Sequence, residues 1–119
     1  MANPFIYTEL NTSDLPGSKT FYSKLFDWKL EDVPGLGMDY TFIKNGDSPI
    51  GGMVKHPMPG APPMWLPYVG VDDINAATAK AKSLGAEIIV DVREIMGQGR
   101  MSVLRDPAGA TIALWQPKK

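Results

Sequence analysis

The chain has 119 residues, 12 basic and 13 acidic side chains, a formal net charge of −1, one histidine and no cysteine. This length suits one domain with a sizeable core, and the balanced charge supplies no electrostatic drive toward nucleic acid or an anionic membrane surface. Without cysteine there is no disulfide, zinc–thiolate site, iron–sulfur cluster or thiol nucleophile.

"MANPFIYTEL" shows neither a basic leader nor a long apolar stretch, and no apolar run nears the roughly 20 residues of a membrane span. A cytoplasmic chain is expected. "FIYTELNT" (5–12) alternates and is rich in β-branched and aromatic residues, which predicts a strand. "SDLPGSKTFYSKLFDW" predicts a helix capped by Ser13 or Asp14, with Pro16 and Gly17 in its first turn and Leu15, Phe21, Tyr22 and Leu25 at helical spacing. "KLEDV" reads as a short strand, "PGLGMD" as a loop, "YTFIK" as a strand, "NGDS" as an Asn-Gly hairpin turn and "PIGGMV" as its partner strand.

"KHPMPGAPP" (55–63) is proline-rich and aperiodic, a linker. The pattern then restarts. "MWLPYVGV" is a strand and "DDINAATAKAKSLG" a capped helix ended by Gly85. "AEIIVDV" is a strand, "REIMGQG" a loop, "RMSVLR" a strand, "DPAG" a turn and "ATIALW" the last strand. In the turn, Asp106 can accept from the backbone ahead, Pro107 presets φ and Gly109 tolerates positive φ. Each half therefore reads β-α-β-β-β, as module one (5–54) and module two (64–116) of a single domain spanning 1–119. The halves match at an offset near 59 residues, Asp14 on Asp73 and Leu25 on Leu84.

Several stretches in this order carry a family resemblance: "ELNTSDLPGSKTFYSKLFDW", Pro-x-Trp-x-x-Tyr-Val-x-Val-Asp-Asp at 63–73, Gly99-Arg100 before a strand, and "DPAGATIALWQP". The sequence resembles the vicinal oxygen chelate superfamily (glyoxalase I, bleomycin-resistance proteins, extradiol dioxygenases), most of all its small glyoxalase-like branch. The resemblance implies an α+β fold in which two βαβββ modules form a curved, mostly antiparallel eight-stranded sheet around a concave ligand cavity. It also implies, in the metal-dependent members, four ligands on the first and last strands of the modules.

Carried over by position, those four slots fall on Tyr7, Gly52, Leu66 and Ala113. None is a His, carboxylate or amide, and a slip of one residue brings none in. No metal and no cofactor are expected, and the metal-dependent reactions do not transfer. Strand alternation places Tyr7, Glu9, Asn11, Tyr40, Phe42, Gly52, Leu66, Tyr68, Met101, Val103, Ala113 and Trp115 toward the cavity. It places Ile6, Leu10, Ile43, Val69, Leu104, Ile112 and Leu114 under the helices. Flat rings beside small residues make a slot for a flat, partly apolar ligand.

Glu9 is the carboxylate nearest the slots. It is a candidate acid or base with Tyr7, or else is paired with Lys44, Arg105 or Tyr68. Asn11 stands where the resemblance implies an Arg that binds a substrate carboxylate, which argues against glutathione adducts. Arg100 is placed on a loop at the cavity mouth, His56 in the linker, and Trp65 as packing. The leading expectation is a metal-free binder of a small flat or aromatic molecule, with a sequestration or resistance role and a homodimeric state. The alternatives are a metal-independent lyase or isomerase using Glu9 or Tyr7, and an interaction domain with a filled cavity.

Overall fold

The computed structural model describes residues 2–34, 40–55, 62–95 and 97–118. His56 and most of the proline-rich linker lie outside the described residues, as does most of the "PGLGMD" loop. The chain divides into two compact units, residues 7–66 and residues 1–6 with 67–119. Each unit builds its sheet around one helix, and the α+β class with repeated β-α-β-β-β order is as the sequence implies.

The N-terminal unit contains most of β1 (Phe5–Thr12), then α1 (Leu15–Leu25), β2 (Lys29–Val33), β3 (Tyr40–Asn45) and β4 (Ser48–Lys55). Its strands lie in the order β2-β3-β4-β1. β1 and β4 are parallel, and the other two pairs are antiparallel. Asp14 rather than Ser13 caps α1, its carboxylate accepting from Gly17 N at 3.0 Å. Gly17 is needed because a Cβ there would run into that carboxylate. Leu10, Leu15, Ile43 and Met53 form the core, with Tyr22, Trp28 and Leu30 packed against it. Burying each such aliphatic side chain contributes about 1.5–3 kcal/mol.

The C-terminal unit contains most of β5 (Met64–Gly70), then α2 (Ile74–Ser83), β6 (Glu87–Ile95), β7 (Gly99–Arg105) and β8 (Thr111–Pro117), ordered β5-β8-β7-β6. Again the first and last strands are parallel, Tyr68 opposite Ala113 and Gly70 opposite Trp115. Two side chains satisfy the first N–H groups of α2: Asp73 accepts from Ala76 N at 3.1 Å, and Gln116 Oε1 accepts from Ile74 N at 2.9 Å. The Asp106 turn forms as read, the carboxylate accepting from Ala108 N and Ala110 N, both at 2.9 Å, with Gly109 at φ +101°.

Three expectations fail in this unit. Residues 93–95, read as loop, continue β6: Arg93, Glu94 and Ile95 pair with Met101, Arg100 and Gly99. Arg100 accordingly sits in β7, opposite Glu94 and Gln116, not on a loop. The glycines at 97 and 99 made the segment look like a loop, yet Gly99 itself pairs with Ile95 and Pro117. Ile6, expected under a helix, is exposed. No helix among the described residues is long and apolar enough to cross a membrane.

Candidate functional site

The alternation of β1 puts Tyr7, Glu9 and Asn11 on the face of the N-terminal sheet opposite α1. Register completes the cluster. Glu9 lies opposite Gly52, Phe42 opposite Gly52 from the other side, and Asn11 and Tyr40 both opposite Val54. Tyr40 and Phe42 contact edge to face, with ring centroids 5.6 Å apart. The six candidates of this unit's strands β1, β3 and β4 therefore stand together on one face.

Their polar atoms are linked. The Tyr40 hydroxyl donates to Glu9 Oε2 at 2.8 Å, and the Tyr7 and Tyr40 oxygens are 2.6 Å apart. A phenol has one proton to give. With that of Tyr40 engaged by Glu9, Tyr7 is the donor of the shorter bond, and the order is Tyr7→Tyr40→Glu9. The Asn11 amide adds a long contact to Glu9 Oε1 at 3.5 Å. Burial is the largest influence on both phenols and pushes their pKa values up. For Tyr7 the Tyr40 bond acts the other way, and the Glu9 charge raises it further; for Tyr40 the Glu9 charge is the second cause. Both therefore stay protonated through the neutral range.

Gly52 makes the arrangement fit. A Cβ there would fall on the hydroxyls of Tyr40 and Tyr7, so the ring tips occupy the volume a side chain would need. Gly52→Ala should therefore cost about 1–3 kcal/mol by forcing the phenols out of place. Urea denaturation monitored by circular dichroism measures this, and an unchanged midpoint would show that the hydroxyls do not rest there.

The divalent metal implied by the family resemblance does not fit this donor set. At the Tyr7 slot stands a protonated phenol, and at the Gly52 slot the space of a ligand side chain is filled by hydroxyls. Among the described residues no three His, Cys, Asp or Glu side chains converge. Leu66 is buried and brings no donor.

In the C-terminal unit, Tyr68, Ala113 and Val103 form one cross-strand row, and Gly70, Trp115 and Met101 the next. Tyr68 and Trp115 meet edge to face at 6.4 Å. Ala113 is fully buried in that row, a second slot without a donor. Ser102, on the opposite face, bonds Thr78 of α2 at 2.9 Å, which fixes the helix side and with it the other face.

The bond from Tyr40 to Glu9 is a point the sequence missed. Lys44 is held by Glu31 at 3.0 Å and Arg105 by Glu87 at 2.7 Å, both on neighbouring strands. Tyr40 takes the place expected of them. The one signal for it was that Tyr40 shares the parity of Glu9.

Residues 5–114 match the Glyoxalase/Bleomycin resistance protein/Dioxygenase superfamily. The protein named "Putative glyoxylase CFP32" from Mycobacterium tuberculosis is 34% identical over 119 residues, covering 95% of this chain and 45% of its own length. The "Anthracycline biosynthesis protein DnrV" of Streptomyces peucetius is 32% identical over 124 residues, covering 91% of this chain and 45% of its own. The chain thus spans about half the length of the curated relatives it matches. Among solved structures, the hypothetical protein BH1468 from Bacillus halodurans superposes with a TM-score of 0.72 at 17% identity, over 100% of this chain and 97% of the other, a likeness of fold.

Proposed function

This chain belongs to the Glyoxalase/Bleomycin resistance protein/Dioxygenase superfamily, and from that membership we propose that it binds a small, flat, partly aromatic molecule without a metal. The observation that carries the reading is the Tyr7→Tyr40→Glu9 chain seated over Gly52. It replaces ligand side chains with a rigid, hydrogen-bonded, ring-bearing surface. Phe42 and Asn11 extend this surface in the N-terminal unit. Tyr68, Met101, Val103, Ala113 and Trp115 are the proposed contacts in the C-terminal unit, and Leu66 is a further apolar one. Sequestration of a toxic or antibiotic compound is the role such a surface suits, and a homodimer is the proposed working state.

Acid–base chemistry through Tyr7 is the weaker reading. A phenol whose pKa is pushed up gives its proton reluctantly and is a poor catalyst near neutrality. Glu9 is the better base, but its accessible chemistry is coupled to Tyr40.

The relative named for anthracycline biosynthesis suggests the probe class, hydroxylated and aminated anthraquinones. These should quench tryptophan fluorescence and raise the melting temperature by mass action, and Trp115→Phe should remove much of the quench. Glu9→Gln should weaken a cationic aminoanthraquinone about tenfold and a neutral hydroxyanthraquinone much less, since a charge-assisted bond is about twice as strong as a neutral one. Equal losses would make Glu9 structural. No binding by any flat probe would favour an interaction domain with a filled face.

A further inference from the structure

We propose that the cluster of Tyr7, Tyr40, Glu9 and Asn11 selects its ligand by hydrogen-bond polarity. It takes a flat molecule that presents a hydroxyl or a protonated amine, and it turns away one that presents only an ether oxygen, a carbonyl or a carboxylate. The inference rests on the ligand reading of the same face and adds which chemical group of the molecule meets it.

The protons of the cluster can be followed one by one. Each phenol has one to give. That of Tyr40 goes to Glu9 Oε2 at 2.8 Å, and that of Tyr7 goes to the Tyr40 oxygen at 2.6 Å. The Asn11 amide is turned to Glu9 Oε1 at 3.5 Å, and Asn11 is itself buried. Every donor of the cluster is thus aimed at Glu9, directly or through Tyr40. An ionised carboxylate has no proton and accepts at about four lone-pair sites, so it takes several donors at once. What the cluster offers a ligand is oxygen lone pairs beside a negative charge. Burial first, and the Glu9 charge as well, keep both phenols protonated through the neutral range, so this order of protons holds there.

The neighbouring positions do not reverse this polarity. Glu9 and Phe42 lie opposite Gly52, and Asn11 and Tyr40 lie opposite Val54. Phe42, Gly52 and Val54 have no side-chain donor. The basic residues Lys29 and Lys44 stand opposite each other beyond Phe42, where Lys44 bonds Glu31 at 3.0 Å. A site built to bond a hydroxyl rejects the analogue without one more strongly than an apolar pocket rejects a missing methylene, because its polar atoms lose water and gain no partner.

Three naphthalenes with one ring system test this by isothermal titration calorimetry. 2-Naphthol gives a proton, 2-methoxynaphthalene only accepts, and 2-naphthoate is an anion. Wild type should bind 2-naphthol about tenfold or more tighter than 2-methoxynaphthalene, with 2-naphthoate the weakest. Tyr40→Phe frees the Tyr7 proton, so the ratio of 2-naphthol to 2-methoxynaphthalene affinity should fall about threefold or more. In the double variant Tyr7→Phe with Tyr40→Phe that freed donor is gone, and the ratio should climb back. Glu9→Gln removes the charge and adds an amide donor, so 2-naphthoate should gain on 2-naphthol. A packing role alone would shift all three probes together. Equal wild-type affinities for 2-naphthol and 2-methoxynaphthalene, or tightest binding of 2-naphthoate, overturn the inference and leave the ligand reading standing. Binding of none of the three removes both.

Discussion

Stability should fall steeply as the pH rises above about 10, and Tyr40→Phe should flatten that fall. Tyr7 and Tyr40 have pKa values raised in the folded protein, through burial first and the Glu9 charge as well. In the unfolded chain each phenol titrates near its ordinary value of about 10. Below that value both states hold the proton, and the hydrogen-bonded pair contributes its full stability. Above it, the unfolded chain loses protons that the folded chain retains. The unfolded state then binds fewer protons, so unfolding becomes more favourable with each step in pH. For each phenol the slope approaches about 1.4 kcal/mol per pH unit, and two phenols make the effect large beside a typical stability of about 5–15 kcal/mol. Urea midpoints between about pH 8 and 11.5 give the curve. Tyr7→Phe and Tyr40→Phe should each remove close to half the excess slope, and identical alkaline slopes in all three proteins would refute the placement of these hydroxyls. At neutral pH, Tyr40→Phe should also cost about 1–3 kcal/mol, because Glu9 loses one of its donors.

The parts of the site that depend on local sequence could be read in advance. An Asp before each helix, 59 residues apart, announces both caps, and the Asp-Pro-Ala-Gly stretch announces its turn with both acceptor bonds. Period-two alternation put Tyr7, Glu9 and Asn11 on one face, because successive side chains of a strand must alternate. What could not be read is the pairing across strands. Lys44 shares the parity of Glu9 and was one of its candidate partners, yet the regular β2–β3 ladder sets it within reach of Glu31 instead. The extension of β6 was hidden for a related reason. Nothing in "REI" alternates, and its strand character comes from β7 alongside. Phe21, Tyr22 and Leu25 were legible as helical spacing, but the exposure of Phe21 and Leu25 was not, since spacing alone does not say how far round the helix the core reaches.

Wild-type protein should carry Mn, Fe, Co, Ni and Zn at well below one ion per chain, and restoring a site should take more than restoring ligands. Replacing the slot residues alone, as Tyr7→His with Gly52→Glu, should be damaging. The new side chain at 52 would enter the volume held by the Tyr40 hydroxyl, and its carboxylate would stand beside that of Glu9, its neighbour in the β1–β4 register. Overpacking and a buried like-charge pair together should cost more than about 3 kcal/mol. Adding Tyr40→Ala clears the obstruction. The imidazole at 7 and the carboxylates at 9 and 52 then share one face within reach of one another, three donors with coordination positions left for water. Zinc should stabilise this triple variant by about 2.7 kcal/mol at a hundred times its Kd, roughly 10 °C in melting temperature for a chain of this size, and should leave wild type unchanged. The gain is limited because no outer hydrogen bonds orient the new imidazole, a deficit that commonly costs about 10–100-fold in affinity. Elemental analysis and thermal melts with and without zinc read every step. Stoichiometric metal in wild type would defeat the donor-set argument. A double variant as stable as wild type would mean that Tyr40 does not fill the space over Gly52, and that the face opposite α1 is open where the structure has it closed.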